Sequence, residues 1–147
     1  MVRRRVSRDS GPDAAWNAFV DLIATEEYAD LDPVQKVAHL AFWYDSEVQN
    51  GGHLQYFQNR GTGLVPETLE ALKVLGAHCQ LGILARAAAV YDRKPRKNVE
   101  NVDEYVDEAL EGEFEEFDDK YYACQPEIAD LLERYFEQYR ASFVEEV

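Results

Sequence analysis

An Asn50-Gly51-Gly52 run interrupts an apolar helical pattern in the stretch Phe42 to Gly61. Asn and Gly tolerate the left-handed backbone that closes the last turn of a helix, so a helix is expected to end there and the chain to reverse direction. Beyond the corner Leu54, Tyr56 and Phe57 resume as a short amphipathic piece. Side-chain amides crowd around it: Gln49, Asn50, Gln55, Gln58 and Asn59, with Asp45 and Glu47 just before. Any of these buried beside Trp43, Tyr56 and Phe57 must be hydrogen-bonded, because an unpaired buried polar group costs about 1–3 kcal/mol. The stretch reads as a helix junction latched by polar groups.

The rest of the chain supplies helices to pack against it. Residues 1–11 are polar and basic and read as a flexible tail, followed by a single helical domain over 12–147. Pro12 suits a first helical turn, with Trp16, Phe19, Val20 and Ile23 at helical spacing to about Glu27. Asp32-Pro33 caps a long second helix whose inner face is Val34, Val37, Ala41, Tyr44 and Val48. A short third helix covers His53 to Asn59, and the Arg60-Gly61-Thr62-Gly63 loop ends it. From Pro66, Leu69, Leu72, Leu75, Cys79, Ile83, Ala87 and Val90 form one stripe, with a break or kink expected near Gly76. Asp92 to Asn98 is a basic loop, Val99 to about Tyr122 a helix with one buried face, and Pro126 opens the last helix, which runs towards Phe143. No segment alternates with a strand's period of two. The expected class is all-α, a single-domain bundle of about six to seven helices.

At 147 residues, 46% hydrophobic and 12% aromatic, the chain can bury one real core. Its formal net charge is −14, and because Arg3, Arg4, Arg5 and Arg8 fall in the first eight residues, residues 9–147 hold 29 acids against 11 bases, a net of −18. Such a body repels nucleic acid and anionic membranes and favours basic partners. Cys79 and Cys124 lie far apart, outside any C-x-x-C pairing, and read as small buried thiols of a reducing cytoplasm. No apolar run reaches the roughly 20 residues that span a bilayer, and the Arg-rich start lacks the apolar stretch of a secretory signal. A cytoplasmic location is expected.

The densest signal is acidic. Glu100, Asp103, Glu104, Asp107, Glu108, Glu111, Glu113, Glu115, Glu116, Asp118 and Asp119 are eleven acids in twenty residues without a base among them. On a continuous helix of about 30 Å that is one charge per ~2.7 Å, against one per ~1.7 Å of B-DNA axis. Like charges at i,i+4, such as Glu100/Glu104/Glu108 and Asp103/Asp107/Glu111, each cost roughly 0.2–0.5 kcal/mol. Either nothing selects against them or the field has a use. One reading makes these carboxylates stand where phosphates would, accepted by a basic DNA-binding protein; the other leaves them a solvated helix face.

Catalytic patterns are thin. His39, His53 and His78 occupy separate segments without zinc-site spacing, and no phosphate-cradling glycine motif occurs, so neither metal nor cofactor is expected. Asp45, Glu47 and His53 flank one turn and could form an acid/base cluster. No nucleophile or oxyanion-hole pattern accompanies them, and a corner held by hydrogen bonds explains the same residues.

The corner also carries a resemblance. Glu47, Asn50, Gly51, Gly52, Gln55, Tyr56, Phe57, Asn59 and Gly61 resemble the motif of a bacterial all-helical family once described as a domain of unknown function and now labelled DNA-mimic proteins. The likeness extends more loosely from about Asp13 to Phe143. Where that pattern has an aromatic after the glycines, this chain has His53. The resemblance implies a non-enzymatic protein whose acidic face (Glu100, Asp103, Glu104, Asp107, Glu108, Glu111, Glu115, Glu116, Asp118, Asp119) sequesters a basic partner such as a transcription regulator or nucleoid protein, and a homodimer would lengthen the mimicked duplex. An antitoxin or immunity protein neutralising a basic toxin through the same face is the alternative, and an enzyme using the glycine corner a third.

Overall fold

The computed structural model describes residues 2–93 and 112–147. Helix α1 (Ala14–Thr25) turns Ala15, Phe19, Leu22 and Ile23 inward. A single 3-10 turn at Tyr28–Asp30 leads to α2 (Pro33–Arg60), α3 (Val65–Leu75), α4 (His78–Arg93), α5 (Glu115–Tyr122), α6 (Ile128–Gln138) and the short α7 (Arg140–Phe143). The architecture is the expected all-α bundle, with one two-stranded sheet added at its edge.

Helix α2 is two arms about a kink. Its start is fixed by a reciprocal cap in which Asp32 accepts from the Gln35 N–H at 2.8 Å and Gln35 Oε1 accepts from the Asp32 N–H at 3.1 Å. The helical path is broken at Gly51 and at Gly52, where φ is +78°. Residues twelve apart in a straight helix would be separated by about 18 Å, yet Asn59 Nδ2 donates to Glu47 Oε2 at 2.7 Å. The second arm therefore folds back beside the first, as the Asn-Gly-Gly run required. The anticipated break near Gly76 is also present, as a left-handed cap (φ +79°) dividing α3 from α4.

The core gathers around aromatic rings. Phe19 meets Phe136 and Phe143 with centroids 4.7 Å apart in each case. Helix α6 contributes Ile128, Leu131, Leu132, Tyr135 and Phe136, a stripe of i, i+3, i+4, i+7, i+8 spacing. The Tyr135 hydroxyl donates to the Val34 carbonyl at 2.7 Å, stapling α6 onto the start of α2.

Four expectations are corrected. The basic start is not a free tail: Arg4–Val6 is strand β1, parallel to β2 (Val144–Glu146), and the fully buried Gln35 holds both chain segments by donating to the Val2 and Ser142 carbonyls. Arg4 pairs with Asp21 at 3.0 Å and Glu26 at 2.8 Å, charges that a sequence pattern of period two could not register. The last helix is divided at Tyr139, where the backbone leaves helical geometry. Of the helix assigned to Val99–Tyr122, residues 99–111 lie outside the described residues, and 112–114 form a turn in which the Glu115 N–H donates to the Gly112 carbonyl at 3.1 Å; α5 begins only at Glu115. Cys79 and Cys124 are joined as a disulfide, 45 residues apart in sequence, because the fold brings the start of α4 against the end of α5.

Gly52 gives a direct test of the kink. A Cβ there would lie 2.4 Å from Asp118 Oδ2 and would have to adopt a φ and ψ that only glycine readily occupies. Gly52→Ala is expected to lower unfolding free energy by about 2–4 kcal/mol in urea titration. Gly63→Ala, where a Cβ meets nothing within 4 Å, is the control and is expected to shift stability by less than about 1 kcal/mol.

Candidate functional site: the glycine kink and the acidic helix docked on it

Two carboxylates organise the kink. Glu47, whose side chain is only 12% exposed, accepts from Asn59 at 2.7 Å and Gln55 at 3.4 Å, with Arg60 Nε at 4.0 Å. Asn50 Nδ2 in turn donates to Gln55 Oε1 at 3.2 Å. A Cβ on Gly51 would lie 2.0 Å from that same Gln55 oxygen, so the amide crosses the kink only because residue 51 is glycine. Arg60 also stacks over Trp43, 3.9 Å from the ring centroid. The polar latch anticipated at this corner is present in these contacts, and Tyr56 and Phe57 are buried behind it.

The second carboxylate is Asp118 of α5. Its Oδ1 accepts from the His53 backbone N–H at 2.8 Å and from His53 Nδ1 at 2.7 Å. With Nδ1–H committed there, Nε2 is left to accept from the Tyr44 hydroxyl, 2.7 Å away. His53 and Tyr44 are both fully buried, so His53 occupies the aromatic position after the glycines and meets its polar needs from α2 and α5. Tyr121 donates to Asp45 Oδ1 at 2.5 Å and Tyr122 to the Val48 carbonyl at 2.9 Å, completing the seat of α5 on α2. Burial, and after it the neighbouring Asp45 charge, pushes the Tyr121 phenol far above its ordinary value; burial does the same to Tyr44.

The acid/base cluster weighed for Asp45, Glu47 and His53 does not assemble. Asp45 is bound by Tyr121, Glu47 by the amides, and His53 by Asp118. Asp118, assigned to the partner-facing surface, instead points inward onto the kink, with its side chain 22% exposed. Among the other acidic-face candidates Glu115 and Asp119 are exposed, and Glu116 is exposed and paired with Lys120 at 2.8 Å, a contact that holds its carboxyl below the usual range. Glu100, Asp103, Glu104, Asp107, Glu108 and Glu111 lie outside the described residues. A groove of about 460 Å³ runs between kink and helix, lined by Gly51, Leu54, Phe114, Glu115, Asp119 and Tyr122 among others.

The family model for DMP19-like protein matches residues 29–139, from before α2 to the end of α6. The chain belongs to the DMP19-like family. Comparison with curated proteins and with solved structures returns no match. The span shared with other DMP19-like proteins contains the kink, its Glu47 latch and the docked α5, while α1 and both strands fall outside it.

Sequence reasoning missed Asp118, Tyr121 and Tyr122 as anchors of the site. The available signal was His53: an imidazole following two glycines at an aromatic position requires a buried partner. Asp118→Ala leaves two buried donors of His53 unpaired and is expected to destabilise the fold by about 2–4 kcal/mol in urea. Asp119→Ala is expected to change it by less than about 0.5 kcal/mol, because Asp119 is exposed.

The phenols add a pH dependence. Because folding raises the pKa of Tyr44 and Tyr121, the unfolded chain loses their protons first; stability is intact below the ordinary tyrosine value near 10 and falls as pH rises through and above it. Absorbance titration at alkaline pH is expected to show at least two of the nine tyrosines ionising only together with loss of helical circular dichroism.

Proposed function

We propose that the acidic segment Glu100 to Asp119 of this DMP19-like protein takes the place of a DNA phosphate backbone for a basic DNA-binding protein, a transcription regulator or nucleoid protein, and holds it off DNA. The observation that carries this reading is the charge density, eleven carboxylates in twenty residues with no base, in a chain belonging to a family of DNA-mimic proteins. The described part of that segment is a turn at 112–114 followed by α5. Glu115 and Asp119 face solvent on a helix that Asp118, Tyr121 and Tyr122 tie to the bundle. Binding energy in such a complex comes from release of the ions condensed around both surfaces.

The test is co-purification of the native partner across a salt series, followed by competition with duplex DNA. Affinity is expected to fall at least about tenfold between low and moderate salt, with a linear dependence of log affinity on log salt. Reversal of Glu104, Asp107, Glu108 and Glu111 to Lys is expected to abolish the complex. A partner that DNA does not displace, or that the reversed variant binds as before, would overturn the reading.

A further inference from the structure

The Cys79–Cys124 bond closes a loop that contains the whole acidic segment, since every carboxylate from Glu100 to Asp119 lies between the two cysteines. We propose that this disulfide is a thiol-exchange switch that sets how firmly α5, and the carboxylates it carries, are held on the bundle. The inference rests on the mimicry reading for its biological consequence, while its physical consequence can be measured without any partner.

The two sulfurs are placed unequally. Cys79 is exposed in the first turn of α4, whereas Cys124, 1% exposed, sits directly behind the end of α5. A helix of eight residues is not stable alone. Its attachment includes the three hydrogen-bonding side chains that reach α2, its buried ring Tyr121 with Phe114 just before it, and the covalent tie just past its C-terminal end. With the tie cut, Gln80 Nε2 still donates to the Pro126 carbonyl at 2.9 Å, a polar link between the start of α4 and the chain beyond α5.

Exposure fixes the chemistry. A thiolate of an external dithiol attacks Cys79 Sγ, the Cys79–Cys124 bond breaks, and Cys124 leaves as a thiolate that takes a proton. The reductant's second thiolate then attacks its own sulfur in the mixed disulfide, expelling Cys79 as a thiolate that also takes a proton. The protein gains two electrons and two protons, and the dithiol departs as a cyclic disulfide. Oxidation runs the same steps backwards.

Amide hydrogen exchange on the full chain is measured with the bond intact, after dithiothreitol, and in the Cys79→Ser/Cys124→Ser double variant, alongside binding of a polylysine peptide. On reduction, residues 115–124 are expected to exchange at least about tenfold faster while α1 and α6 change less than about twofold, and polylysine affinity is expected to change severalfold. Equal exchange in both states, acceleration spread evenly over all helices, or a bond that dithiothreitol opens only in denaturant would each overturn the switch. Faster local exchange with unchanged polylysine binding would overturn its regulatory consequence. Absence of polylysine binding in either state would count against the mimicry reading alone, and the exchange result would still decide the switch.

Discussion

A carboxylate held out of water needs donors, and Glu47 gathers its own from the arm of α2 that follows the glycines. Gln55, Asn59 and Arg60 reach it only if the helix folds back, so the charge and the kink require each other. Each amide bond is modest, and because Asn59 and Arg60 are exposed while Gln55 is half-buried, water can take the place of the acceptor for most of these donors. The fold-back brings Tyr56 to within 5.0 Å of Tyr44, centroid to centroid, and sets His53 where Asp118 can reach it. The seat of α5 and the placement of the acids it carries follow from that geometry.

How much of this was legible depended on the range of the interaction. Local chemistry was readable: the Asp32-Pro33 start, the Asn-Gly-Gly corner, the break at Gly76 and the apolar stripes of α1 and α6 all appear where residue type and spacing put them. Pairings across the chain were not readable. Arg4 meets Asp21 and Glu26, Gln35 meets Val2 and Ser142, and Cys79 meets Cys124 only because the bundle folds first. A three-residue strand is also too short for alternation to announce it, which is how β1 passes for a polar tail. The polar latch lay between these extremes, since the crowd of amides demanded partners without naming them.

Asp118 shows why counting acids overstates a charged face. In sequence it is indistinguishable from Asp119, one residue away. In the fold one accepts two hydrogen bonds from His53 and the other faces water. Helical geometry makes the division, because adjacent positions point about 100° apart and a helix lying on the bundle must turn some of its acids inward. An inward acid survives only with donors in place, and the buried histidine supplies them. The same residue thus belongs to the scaffold and stands beside the surface it supports.

The distribution of the bases bears on whether that surface keeps its field. Among the described residues Arg4, Arg5 and Arg140 pair with Asp21, Glu26, Glu137, Glu145 and Glu146, at the end of the molecule built from the chain termini, and Arg60 turns to Glu47 and Trp43. Lys120 reaches the acidic segment, one helical turn from Glu116 on α5 itself, and the Arg86 charge also acts on that carboxylate. Exposed pairs of this kind contribute little to stability and are weakened by salt, so their value here is positional. Arg4, Arg5, Arg60 and Arg140 thus spend their charge on acids other than Glu115 and Asp119, and the field around those two carboxylates is not reduced by direct pairing with these four side chains.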